Sequence, residues 1–107
     1  MKVLTKEEVQ GYTKKLYRFL REGHTIRFQK LPSEYMGIIH WYEDNSAPVH
    51  IEVDYRNQMF GTLLHEFLHY IHPTWKETQV LEMEERLVNA LSRTQVKNIL
   101  KRLGEAL

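Results

Sequence analysis

The chain has 107 residues, enough for one modest hydrophobic core but too few for separate cofactor and substrate domains. We therefore expect residues 1–107 to form a single domain that carries any active site. With 15 basic and 14 acidic residues the net charge is +1, which makes a nucleic-acid partner unlikely, because such proteins usually carry a strongly basic surface. The absence of cysteine excludes disulfides and thiolate ligands, so any metal site must use histidine, carboxylate and water.

The N-terminal residues contain no apolar targeting segment. Acidic side chains, Glu7 and Glu8, follow almost at once, and no later apolar run is long enough to cross a bilayer. We therefore expect a cytoplasmic protein with no membrane partner.

The first predicted element is an amphipathic helix. Thr5 and Glu8 have the spacing of a capping box, and apolar residues then recur at helical spacing until Gly23. A capping box places the start of the helix directly after Thr5.

Three strands are predicted after this helix, at residues 24–31, 35–42 and 49–55, where β-branched and aromatic residues are frequent. Turn-forming residues separate these segments, at 32–33 and 43–48. Short turns suit antiparallel neighbours, so we expect a small three-stranded antiparallel sheet.

The remaining chain is predicted to be helical. Residues 59–72 form one helix that Pro73 ends, and Thr74 with Glu77 has the form of a second capping box. Residues 92–95 could cap the last helix, which ends near Gly104. The predicted fold is therefore α+β, with an N-terminal helix, an antiparallel sheet and C-terminal helices.

Residues 64–70, Leu-His-Glu-Phe-Leu-His-Tyr, contain the pattern H-E-x-x-H. On a helix, His65 and His69 share one face a turn apart, so both imidazoles can bind one ion. Glu66 lies beside them and can accept a proton from a metal-bound water. The opposite side of the helix is apolar: Met59, Phe60, Leu63, Leu64, Phe67, Leu68 and Ile71. The pattern therefore predicts a zinc site rather than a solvated helix face.

A catalytic zinc site has three protein ligands and one open position, so a third ligand is needed. We predict the buried face of the next helix to consist of Val80, Leu81, Leu87, Val88 and Leu91. With that face buried, Glu82 points to solvent, Glu84 lies near its middle and Glu85 at its edge. Either Glu84 or Glu85 could therefore be the third ligand.

Residues 49–91 resemble a minimal gluzincin, the zincin class of metallopeptidases that has H-E-x-x-H on one helix and a glutamate ligand on the next. The segment is also similar to small zincin-like proteins of bacteria and phages. In gluzincins the ligand glutamate is often followed four residues later by Asp or Asn, as Glu85 is by Asn89. The resemblance therefore favours Glu85.

The resemblance implies a zinc-dependent metallopeptidase that acts on a peptide or protein substrate. Zn²⁺ would be bound by His65, His69 and Glu85, and Glu66 would be the general base. An edge strand at residues 49–54 would hold the extended substrate by backbone pairing. The pattern does not identify the residue that stabilises the oxyanion, and the candidates are Tyr55, Tyr70, His40 and His72.

An alternative function keeps the metal without the catalysis. A small zinc-binding regulatory or protein-interaction domain could use the same scaffold and the same ion, with zinc in a structural role. Only an activity measurement separates the two hypotheses.

Overall fold

The computed structural model describes residues 3–32, 34–41, 48–55 and 58–107. Within these ranges the chain forms seven elements, in the order α1 (Lys6–Arg21), β1 (Thr25–Gln29), β2 (Gly37–His40), β3 (His50–Asp54), α2 (Met59–Ile71), α3 (Glu77–Ala90) and α4 (Arg93–Ala106). The predicted α+β class is confirmed. Ser33, Tyr42 and most of the predicted turn at 43–48 lie outside the described residues.

Side-chain capping explains where α1 and α4 begin. The Thr5 hydroxyl accepts a hydrogen bond from the Glu8 N–H at 3.1 Å, and the Glu8 carboxylate accepts one from the Thr5 N–H at 3.0 Å. Ser92 and Gln95 form the same reciprocal pair before α4. Both predicted caps are therefore confirmed.

Helix α3 begins later than predicted, which corrects the second capping box. The N-cap is Lys76, whose N–H donates to Gln79 Oε1 at 2.8 Å. The Trp75 ring stacks on His72 with centroids 3.6 Å apart, and the Trp75 N–H donates to the His72 carbonyl at 3.1 Å. This stacking holds the turn after α2, so Glu77 becomes the first residue of the helix rather than part of a cap.

The sheet is mixed, which corrects the antiparallel prediction. The strand order is β1-β3-β2, with β3 antiparallel to β2 and parallel to β1. Ile51 and Val53 of β3 are fully buried, and the central position also pairs the backbone of β3 on both sides. Turn residues indicate where the chain reverses but not which strand becomes the neighbour. Residues 49–54 therefore form the central strand rather than the predicted edge strand.

Two buried side chains fasten β1 to β3 at the ends of their pairing. His24 Nδ1 accepts a hydrogen bond from the Val49 N–H at 2.8 Å, and Asp54 Oδ2 accepts one from the Leu31 N–H at 3.0 Å. These bonds satisfy backbone donors that the parallel pairing leaves at each end.

The core lies between the inner face of the sheet and the helices. Helix α2 contacts β2, β3 and α3, and α1 contacts α4. The most deeply buried side chains come from all of these layers: Leu16, Phe19, Ile51, Val53, Leu63, Leu64, Phe67, Leu68, Val80, Leu87 and Ile99. None of the described helices is long and apolar enough to cross a membrane.

Strand β2 approaches α2 closely at Gly37. A Cβ atom at this position would lie 2.6 Å from Thr62 Cγ2 and 3.2 Å from Glu66 Oε1. The Thr62 side chain is buried and β-branched, so it has little freedom to move away. Glycine at position 37 thus sets the distance between the edge strand and the helix that carries the H-E-x-x-H residues.

We expect Gly37→Ala to lower the free energy of unfolding by about 1–3 kcal/mol, because the added methyl group overpacks this contact. The matched control is Gly11→Ala in α1, where nothing lies within 4 Å of the added Cβ and alanine favours the helix by up to about 1 kcal/mol. Urea denaturation measures both. Equal stability of Gly37→Ala and the wild type would contradict the close packing of β2 on α2.

Candidate metal centre

The H-E-x-x-H residues face a cleft of about 550 Å³ between α2, strand β2 and the start of α3. Helix α2 buries its apolar side, so His65 and His69 are directed to the opposite side, as the sequence predicted. The carboxylates that line the same cleft are Glu34, Glu66, Glu77 and Glu84.

Glu77 is the carboxylate that meets both histidines. Its Oε1 lies 2.7 Å from His65 Nε2, and its Oε2 lies 2.9 Å from His69 Nε2. The two Nε2 atoms are 3.1 Å apart. One ligand atom from each of the three residues can thus face a single ion.

The chemistry of these atoms fits a cation. His65 Nδ1 lies 2.8 Å from Glu84 Oε1, and a carboxylate can only accept, so Nδ1 carries the proton. In a neutral imidazole the lone pair of Nε2 then points at Glu77 and His69. Lone pairs that face one another repel unless a proton or a metal ion lies between them. Two imidazoles and a carboxylate are also a ligand set that zinc prefers.

Glu84 supports the site through His65 rather than facing the centre of the cluster. A carboxylate on the far nitrogen fixes the tautomer and the ring orientation of a metal-binding histidine. Gly61 leaves room for it, because a Cβ there would lie 3.3 Å from Glu84 Oε2. The structure therefore assigns the two predicted neighbours on α3 different positions, with Glu84 at the site.

Glu85 does not join the histidines. It is exposed and does not line the cleft, but lines an adjoining cavity with Val88 and Asn89; Glu84 lines both. The difference comes from the rotation of α3, which buries Val80 and Leu87 and leaves Leu81 and Val88 exposed by 50% and 40%. The buried face of α3 is therefore narrower than predicted. With this face against the core, Glu84 rather than Glu85 points towards α2.

The spacing of Thr74 and Glu77 predicts Glu77 as part of a helix cap and therefore does not mark it as a ligand. The sequence feature that could have identified Glu77 is the short connection after α2. Only five residues separate the two helices, so the first turn of α3 lies next to the end of α2. The contacts of His69 with Glu77 and of His65 with Glu84 follow the antiparallel arrangement of the two helices. A carboxylate in the first turn is also favoured by the helix dipole.

Glu66 lies beside the cluster and is 5% exposed. Burial raises its pKa from 4.5 to about 7, against the opposing influence of His65, while Glu77 and Glu84 raise it further. A bound cation would lower this pKa. Such a carboxyl group can both accept and release a proton near neutral pH.

The four predicted oxyanion stabilisers, Tyr55, Tyr70, His40 and His72, are not among the described residues that line the cleft. Tyr35 lines it instead. Its phenol is a hydrogen-bond donor on the strand side of the cleft, opposite the helix.

We expect Glu77→Ala to lose the bound metal and Glu85→Ala to keep it, because only Glu77 meets both histidines. Elemental analysis of protein purified without chelator or histidine tag measures the metal content. Metal loss in Glu85→Ala with retention in Glu77→Ala would contradict the ligand set His65, His69 and Glu77.

We expect the metal-free protein to lose stability as the pH rises from 4.5 to 7. In this range folded Glu66 holds its proton while the unfolded chain releases it, so the contribution is complete below pH 4.5 and lost through about pH 7. It amounts to about 3 kcal/mol. Glu66→Gln should remove this part of the pH dependence, and parallel urea denaturation curves with chelator measure it. Identical pH profiles of the two proteins would refute the shifted pKa.

No protein-family model matches the chain, and no match is found among curated proteins or among solved structures. The functional conclusion therefore rests on the chemistry of the cleft itself.

Proposed function

We propose that the protein is a zinc-dependent metallopeptidase of the zincin type that acts in the cytoplasm. The observation that carries this proposal is the convergence of His65, His69 and Glu77 on one point, with the buried carboxyl group of Glu66 beside it in an open cleft. Three protein ligands and access for a fourth group are what a catalytic zinc site requires.

When bound, zinc supplies a water of lowered pKa and a Lewis acid that polarises the peptide carbonyl. Glu66 would accept a proton from such a water while the water oxygen bonds to the carbonyl carbon. The same carboxyl group then donates the proton to the amine that leaves when the C–N bond breaks. Burial raises the pKa of Glu66 to about 7 in the metal-free protein, and a bound cation would lower it, which favours the ionised form that accepts the proton.

Strand β2 replaces β3 as the candidate for holding the substrate. Gly37, Ile38 and Ile39 line the cleft, and among the described strands only β3 pairs with β2. An extended peptide could pair with the free edge of β2 and so pass the metal ligands on α2. Gly37 lies against Thr62 and Glu66 of α2, so a peptide on this edge would lie beside the helix that carries His65 and His69.

The outer walls of the cleft favour an apolar substrate side chain. Trp41 and Leu81 line the cleft and are exposed by 41% and 50%. The Trp41 ring stacks on Tyr70 with centroids 5.8 Å apart and planes 5° apart, which holds it in place. Tyr35 on the same side could donate a hydrogen bond to the developing oxyanion.

We expect Glu66→Gln to bind zinc as the wild type does and to hydrolyse peptides at least about 100-fold more slowly, because the amide cannot accept the proton. The assay measures cleavage of a mixture of unstructured peptides by mass spectrometry, with Glu85→Gln as the matched control that keeps full activity. Hydrolysis that persists in Glu66→Gln refutes the role of Glu66. Zinc binding without hydrolysis in the wild type would support the alternative, a non-catalytic zinc-binding regulatory domain.

A further inference from the structure

A second group of metal-binding side chains lies on the sheet, away from the cleft. His40 of β2 and His50 of β3 are direct cross-strand partners, and Glu52 follows two residues after His50. Side chains two apart on a strand share a face, so all three lie opposite to the buried Ile51 and Val53. None of the three lines the cleft that holds His65 and His69.

The carboxylate of Glu52 bridges the two imidazoles. Its Oε1 lies 3.3 Å from His50 Nε2, and its Oε2 lies 3.5 Å from His40 Nε2. These separations are long for charge-assisted hydrogen bonds, which are about 2.7–2.9 Å. One ligand atom from each of the three residues lies within 4.8 Å of the other two, so all three can face a single ion.

We propose that His40, His50 and Glu52 form a second site for a divalent transition-metal ion such as Zn²⁺. Two imidazoles and one carboxylate provide three ligands, and solvent can complete the coordination because the His40 side chain is 52% exposed. The residues are brought together by strand pairing alone, since neither histidine nor Glu52 belongs to the H-E-x-x-H helix.

The neighbouring residues predict weaker binding than in the cleft. Gln29 of β1 donates a side-chain hydrogen bond to Glu52 and orients it, but Arg27 is the cross-strand partner of Glu52 and adds a positive charge to the same face. In the cleft, by contrast, Glu84 orients His65, whose side chain is 13% exposed, whereas the side chain of His40 is 52% exposed. The ion would link β2 to β3 at the end of their pairing and so stabilise the edge strand that forms one wall of the cleft.

Counting bound ions in matched variants tests this proposal. Isothermal titration with Zn²⁺, checked by elemental analysis, should give two ions per chain for the wild type, with the second bound more weakly. His40→Ala/His50→Ala should keep only the tighter ion, and His65→Ala/His69→Ala only the weaker one. The control His72→Ala removes a histidine outside both groups and should keep two.

Glu52→Gln serves as the conservative variant, because it removes the anionic ligand with almost no change in size. It should weaken the second ion more than about tenfold and leave the first unchanged. The absence of a bound ion in His65→Ala/His69→Ala, or an ion count in His40→Ala/His50→Ala equal to that of the wild type, overturns the proposal. Because His65→Ala/His69→Ala reports the second site alone, failure of the cleft as a peptidase site leaves this measurement intact.

Discussion

The burial of one side of helix α2 fixes the chemistry of the cleft. Leu63, Leu64, Phe67 and Leu68 have no exposed surface, and together they determine how the helix is rotated about its axis. A rotation of α2 about its axis that moved the two histidines towards solvent would expose these side chains. Each exposed side chain would lower the free energy of unfolding by about 1.5–3 kcal/mol. The metal ligands are thus positioned by the same packing that stabilises the fold. Helix α3 and strand β2 then complete the cleft around a helix that cannot rotate.

Local patterns in the sequence predicted the elements of this fold well, but not the arrangement that depends on distant contacts. The capping boxes at Thr5 and Ser92 and the buried side of α2 are set by residues within one or two turns of each other. The strand order is not, because the position of β3 between β1 and β2 depends on which strand buries Ile51 and Val53. The contact of Glu77 with His65 and His69 was missed for a related reason, because it depends on how α3 packs against α2. The five apolar residues predicted for the buried face at 80–91 also cover too wide an arc for the sequence to show whether Glu84 or Glu85 faces α2.

The position of Glu66 shows how stability and chemistry oppose each other in the cleft. Glycine at position 37 allows β2 to cover this carboxyl group, and the loss of water raises its pKa to about 7. A charged carboxylate in that position costs folding free energy, which the fold offsets through the apolar core around it. In the metal-free protein the same cost brings the ionisation of Glu66 into the neutral pH range. A larger residue at position 37 would separate strand from helix and return Glu66 towards the behaviour of an exposed glutamate.

The two candidate metal sites have the same kinds of side chain, two histidines and one glutamate, in different surroundings. In the cleft, helices α2 and α3 hold the ligands, Glu84 fixes the tautomer of His65, and a buried proton acceptor lies alongside. On the sheet, strand pairing brings His40, His50 and Glu52 together, and the buried carboxyl group of Asp54, two residues after Glu52, accepts a hydrogen bond from the Leu31 N–H. The identity of the ligands therefore does not by itself show whether a metal site is catalytic. The difference lies in the residues around the ligands, since the buried carboxyl group of Glu66 lines the cleft together with His65 and His69. We infer that an ion in the cleft takes part in hydrolysis, whereas an ion on the sheet acts by joining β2 to β3.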